Sequence, residues 1–245
     1  MIPKKIHYCW FGKGKKPDSF YVFFDKWKKC LPSYEIKEWN ESNFDIKICK
    51  YVEDAYSQKK YAFVADYARI YALYKEGGIY FDTDVEVIRS FDGLLYNDFF
   101  MGYESGHLLG TSVIGSVPNF WLLGSIINYY NSAILNEGGK GYIPNTIILS
   151  NIIKENGITL DGKNQKSKGI TLYEFDYFSP YNTLTSKLVK SDNTYSIHRF
   201  SNSWFPKYYI IEKNFWRILG LRNMKICLRI VNLIKHKTLR GRLFD

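Results

Sequence analysis

Apolar positions along this chain recur with two periods, and their alternation predicts an α/β domain. Short runs rich in Ile, Val, Tyr and Phe, spaced by two and flanked by Gly or Pro, mark strands. They fall at Ile6–Trp10, Tyr34–Trp39, Ile79–Phe81, Phe99–Tyr103, Thr111–Gly115, Ile170–Tyr173 and Tyr195–His198, with Val85, Val87 and Ile88 extending β character towards Phe91. Helical spacing predicts a helix capped by Asp18 or Ser19 and running to about Lys29, where Pro32 stops it. A short helix follows near Tyr51–Ser57 and a long one over Ala62–Glu76. The long one carries Ala62, Ala65, Ala68 and Ala72 as small packing positions and Gly77 as its C-cap. Two more are expected at Asn119–Asn131 and Asn145–Asn156, separated by the loop Glu137–Gly141. Strands alternating with helices imply a mixed, mainly parallel sheet covered on both faces.

Composition narrows the picture. With 245 residues, 46% hydrophobic and 18% aromatic, the chain is long enough for one large globular domain. Cys9, Cys30, Cys49 and Cys227 show no paired short spacing, which argues against a zinc ribbon and a disulfide framework and fits a reducing cytosol. The N-terminus shows no sustained apolar stretch of the signal-peptide kind, and no apolar run approaches a membrane span, so a cytoplasmic protein is expected. The net charge of +10 is concentrated in residues 206–245, where ten basic residues face Glu212 and Asp245. There Arg222, Lys225, Arg229, Asn232 and His236 share one face of a helix otherwise lined by Ile, Leu and Val, with Phe215 and Trp216 leading in. A basic amphipathic helix of this kind reads as a peripheral contact with an anionic membrane, each basic residue contributing about 1 kcal/mol near the surface. The alternative is a helix packed on the domain with a solvated basic face. The expected organisation is a domain over residues 1–205 and a helical tail over 206–245.

The chemistry concentrates at Asp82-Thr83-Asp84, which ends the apolar run Ile79-Tyr80-Phe81 after Gly77-Gly78. If the strand continues, alternation puts Asp82 and Asp84 on one side and Thr83 on the other. Two convergent carboxylates suit a hard divalent cation, Mn²⁺ or Mg²⁺, which keeps open positions for substrate phosphates. The alternative is a pair of solvated loop carboxylates.

The run Ala62–Asp84, with its Asp66-x-x-Arg69 and Gly77-Gly78-Ile79-Tyr80-Phe81-Asp82-Thr83-Asp84, resembles the signature of the family 32 glycosyltransferases. The resemblance extends to Ile2–Gly12, Tyr34–Asn40 and Tyr195–Trp204. That family holds bacterial capsular polysaccharide sugar transferases and yeast mannosyltransferases, with the glucosylating clostridial toxins as more distant relatives. The resemblance implies a GT-A fold, a Rossmann-like nucleotide-sugar-binding domain, and transfer of a hexose to a glycan with retention of configuration. It implies that Asp82 and Asp84 are catalytic and hold the metal against the donor diphosphate. It also implies that His198, or Asn202 or Ser203 in its place, completes the ligand set, and that Asp66 and Arg69 reach the donor sugar. Tyr80 is expected near the nucleoside and Trp10 stacked on the base. A structural histidine, a surface ion pair and ordinary core packing are the respective alternatives for His198, for Asp66 with Arg69, and for Trp10. The implied partners are a nucleotide-sugar, UDP-linked rather than GDP-mannose, and a lipid-linked or other surface glycan at the inner face of the plasma membrane, with no nucleic acid. Glu104, His107 and Asn145 fall in segments expected to flank the cleft, without a role fixed by their spacing.

Two other classes compete. A phosphatase or phosphotransferase would use Asp82 as nucleophile and Asp84 as acid/base, but Glu86 stands where that motif wants Thr or Val. A membrane- or nucleic-acid-binding module would rest on the basic tail alone.

Overall fold

Phe20, Trp27 and Leu31 repeat at helical spacing, and all three are buried against one face of a central sheet. Phe20 and Trp27 belong to the first helix, and Leu31 caps its end, in a computed structural model that describes residues 1–132, 142–182 and 187–201. The loop at 137–141, the tail at 206–245, Asn202, Ser203 and Trp204 lie outside the described residues.

The strands are β1 (Lys5–Cys9), β2 (Glu35–Trp39), β3 (Gly78–Phe81), β4 (Val85–Val87), β5 (Phe99–Ser105), β6 (Leu108–Ser116), β7 (Gln165–Ser167), β8 (Ile170–Tyr173), β9 (Tyr181–Asn182), β10 (Lys187–Leu188) and β11 (Ser196–His198). The helices are α1 (Asp18–Cys30), α2 (Lys50–Ser57), α3 (Tyr61–Glu76), α4 (Trp121–Ser132) and α5 (Asn145–Glu155). Seven strands form one sheet in the order β2-β1-β3-β6-β5-β8-β7, while β4 pairs with β11 and β9 with β10. Within the large sheet β1 runs parallel to β2 and β3, and β5 parallel to β8. The β3–β6, β5–β6 and β7–β8 pairs are antiparallel. The sheet is therefore evenly mixed, not mainly parallel as the pattern suggested. The reason is the short turn between β5 and β6, which joins antiparallel neighbours, whereas a parallel step needs a long crossover.

Neighbouring residues on the central strands feed two separate cores. Cys9, Tyr80, Phe99, Met101 and Ile114 pack with α2, α3, α4 and α5, whereas Ile6, Tyr8, Ile79, Phe81, Phe100 and Val113 pack with α1. Trp27 pins α1 down, fully buried and donating its indole N–H to Val85 O at 2.7 Å. The start of α1 differs from expectation. Pro17 occupies the cap with φ −66°, a value its ring imposes and a helix accepts, and no side chain bonds the first turn.

α3 ends where Gly77 leaves the helix at φ +63°, and Gly78 follows at φ +107°. A Cβ on Gly78 would lie 2.6 Å from Lys5 O, so the absence of a side chain there is what lets β3 close on β1. Behind this junction His7 is completely buried. Trp39 donates to its Nδ1 at 3.0 Å, so Nε2 carries the proton and donates to Gly77 O at 2.7 Å. Burial lowers the His7 pKa to about 4.

Candidate active site

β1 and β3 run parallel, so Trp10 and Asp82, each immediately beyond its strand, emerge at the same edge of the sheet. The carboxyl ends of strands are where open α/β sheets bind ligands.

Asp82, Thr83 and Asp84 do not continue the strand. β3 stops at Phe81, and the three residues form a tight turn closed by Val85 N donating to Asp82 O at 3.0 Å. Asp82 N still donates to Ser112 O at 2.9 Å, which anchors the turn to β6. The carboxylates thus converge by turning, not by alternation. A third group joins them from far along the chain. β11 pairs with β4 in the register His198↔Val85, and this brings the imidazole beside Asp84, with Nε2 at 3.3 Å from Asp84 Oδ1. One donor atom from each of Asp82, Asp84 and His198 lies within 4.8 Å of the others. Burial opposes a charge on His198, but the bond to Asp84 and the charges of Asp84, Asp82 and Glu104 outweigh it, so its pKa stands above the usual imidazole range.

Two carboxylates and an imidazole are a donor set that fits a divalent cation, and His198 Nδ1 is buried with no hydrogen-bond partner among the described residues. Asn202 and Ser203, the other sequence candidates for this position, lie outside those residues.

Behind the turn, α3 presents Asp66 and Arg69. They do not form the ordinary surface pair that their spacing allows, for both side chains are largely enclosed, at 15% and 8% exposure. Arg69 Nη2 lies 3.1 Å from Asp66 Oδ1 and 3.3 Å from Asp82 Oδ1. Its Nη1 donates to Thr111 O at 2.8 Å, and the guanidinium lies over the Tyr80 ring at 4.6 Å. Burial works against its charge, but Asp82 and Asp66 more than compensate. Tyr80, itself buried, donates its hydroxyl to Asp82 Oδ1 at 2.9 Å, and burial holds its pKa well above the ordinary phenol value. Asp66 is tied to the start of α5: its Oδ2 accepts from Asn145 N at 3.3 Å and its carbonyl from Asn145 Nδ2 at 3.0 Å. Burial pushes the Asp66 pKa up to about 6, with the Asp82 charge adding to it and Arg69 opposing.

Trp10 is half-buried, and its indole N–H donates to Gly14 O at 2.7 Å. Glu86, the residue out of place for a phosphatase motif, is paired with Lys26 and Arg199, which fastens β11 and its neighbouring His198 to the turn. His107 lies on the exposed β5–β6 turn and is not one of the three groups that converge there. The Glu86–Arg199 pair had no signal in residue spacing, because it joins residues 113 apart in the chain.

The comparisons agree with this geometry. Residues 17–101, which include Asp66, Arg69, Asp82 and Asp84, match the family model described as a glycosyltransferase sugar-binding region containing a DXD motif. The chain is 26% identical over 221 residues to an uncharacterized glycosyltransferase of Acanthamoeba polyphaga mimivirus, covering 84% of this chain and 85% of that one. The enzyme is a glycosyltransferase. The transferase is also 28% identical over 147 residues to inositol phosphoceramide mannosyltransferase 3 of Schizosaccharomyces pombe, a match that spans 49% of this chain and 38% of the yeast protein. Its fold is GT-A: the solved structure of the PaToxG glycosyltransferase superposes with a TM-score of 0.52 at 16% identity, covering 63% of the transferase and 69% of that chain.

Proposed function

We propose that this glycosyltransferase moves a hexose from a nucleoside diphosphate sugar, UDP-linked in preference to GDP-linked, onto a glycan acceptor with retention of anomeric configuration, in capsular or other surface polysaccharide synthesis. The observation that carries the reading is the convergence of Asp82, Asp84 and His198 on one point at the carboxyl edge of the sheet. A bound Mn²⁺ or Mg²⁺ would supply Lewis-acid neutralisation of the charge that develops on the departing diphosphate. Asp82, Asp84 and His198 would hold that ion. Asp82 is itself held by Tyr80 and Arg69 through Oδ1. Arg69 and Asp66 meet the donor sugar and diphosphate from α3, Arg69 supplying fixed positive charge and Asp66 accepting from sugar hydroxyls. Trp10, at the same edge, stacks on the base, a contact typically worth about 1–3 kcal/mol.

Residues 206–245 form the second unit of this reading, a basic amphipathic segment that keeps the enzyme on the anionic inner face of the plasma membrane beside a lipid-linked acceptor. Among the described residues, no helix is long and apolar enough to cross a membrane.

The deciding experiment is a panel of UDP-galactose, UDP-glucose and GDP-mannose scored by nucleotide release with Mn²⁺. Wild type is expected to release nucleotide from one donor, and Asp82→Ala and Asp84→Ala to lose that release. Unchanged release in both variants overturns the reading. NMR of the product is expected to show the donor's anomeric configuration. Removal of residues 206–245 is expected to abolish sedimentation with phosphatidylserine vesicles while leaving donor hydrolysis intact.

A further inference from the structure

β6 gathers three groups on three consecutive residues. Ser112 O accepts from Asp82 N, and Thr111 O accepts from Arg69 Nη1. Gly110 lies against Glu104 of β5: a Cβ at this glycine would sit 3.2 Å from Glu104 Cβ and 3.6 Å from its Oε2. The first two contacts belong to the site already described, and the third extends it.

Glu104 is placed there by an irregularity. The β5–β6 register shifts between Tyr103 and Ser105, which pair with Leu109 and Leu108, so Glu104 has no opposite number. Such bulges re-aim a side chain and recur beside active sites. The carboxyl group is half-buried and makes no hydrogen bond or ion pair with any described residue. It is nevertheless close enough to Asp82, Asp84 and His198 for their charges to act on it. Burial, countered by His198 and reinforced by the two aspartates, raises its pKa. Glu104 also stands outside the compact trio of Asp82, Asp84 and His198, so it is not a fourth member of that donor set. A carboxylate withdrawn from water without a partner carries a desolvation cost, and a substrate hydroxyl would offset it.

We propose that Glu104 binds the acceptor: its carboxylate accepts a hydrogen bond from a hydroxyl of the incoming sugar and orients it beside the metal-bound donor. Asp66 and Arg69 flank the turn from α3, and Glu104 from β5, so donor and acceptor sugars are gripped from different elements. This inference rests on the sugar-transfer reading and deepens it.

The test separates hydrolysis from transfer. With Mn²⁺ and the donor identified by the panel, nucleotide release to water is measured first, and then transfer to p-nitrophenyl glycosides of glucose, galactose and mannose. Glu104→Gln keeps size and is expected to retain wild-type hydrolysis and melting temperature. Its kcat/KM for the acceptor glycoside should fall by about ten- to a hundredfold, the range expected for losing a charge-assisted hydrogen bond. Glu104→Asp should recover part of that loss. An unchanged transfer-to-hydrolysis ratio in Glu104→Gln overturns the proposal, and so does a parallel loss of hydrolysis and transfer, which would put Glu104 on the donor. If wild type itself releases no nucleotide from any donor, the sugar-transfer reading fails and takes this inference with it.

Discussion

Arg69 is the residue on which most of the site's electrostatics converge. Its guanidinium bridges Asp66 and Asp82 while bonding Thr111 O. Removing one partner of an enclosed ion pair leaves the other charge without compensation, which typically costs about 3–5 kcal/mol. Arg69→Met should therefore lower the denaturant midpoint by a corresponding amount and push the Asp66 pKa still higher. Asp66→Asn combined with Arg69→Met should recover part of the loss, which a double-mutant cycle in urea would measure. His7 provides a second residue-scale prediction, this time in pH. Its folded pKa of about 4 lies below the free value of 6.5, so between those pH values the unfolded chain binds a proton that the native state refuses. Stability from this group is complete above about pH 6.5 and declines as pH falls towards 4, at up to about 1.4 kcal/mol per unit. Urea titrations from pH 7 to 4 should show a shallower decline in His7→Gln than in wild type. Parallel slopes would rule this out.

At the scale of elements, the junction of α3 and β3 sets where the acidic turn emerges. Gly78→Ala would drive a Cβ to 2.6 Å from Lys5 O at a positive φ, so strain and clash act together. A loss of about 2 kcal/mol or more is expected in thermal or urea unfolding, together with loss of nucleotide release as Asp82 shifts. This junction is legible in the amino-acid sequence, because the alanine spacing of α3 and the glycine pair announce a helix, its end and the strand after it. The acidic motif is legible as chemistry but not as geometry. Period-two alternation puts both carboxylates on one strand face, whereas a turn brings them together. The direction of β6 is hidden as well, since apolar alternation is the same for parallel and antiparallel partners. β7 (Gln165–Ser167) has no apolar pattern to betray it, being a short polar strand at the sheet edge. Glu104 falls in a segment expected near the cleft, yet its proposed role depends on a register shift that one-dimensional spacing cannot encode.

For the molecule as a whole, the proposed metal site links ion binding and folding through the same three side chains, Asp82, Asp84 and His198. An ion that binds only the native state stabilises it by about 2.7 kcal/mol at a hundred times its dissociation constant. Mn²⁺ should therefore raise the melting temperature of wild type, chelation should reverse the shift and abolish nucleotide release, and Asp84→Asn should show little shift at the same concentration. An equal shift in Asp84→Asn would place the ion elsewhere. The pairing of β11 with β4 has a further consequence for how the enzyme comes into being. Translation delivers both aspartates and the guanidinium long before the imidazole, so a nascent chain halted ahead of β11 has all seven strands of the large sheet but only two of the three side chains proposed to hold the ion. On the proposed metal site, the donor set is therefore assembled only when β11 docks on β4.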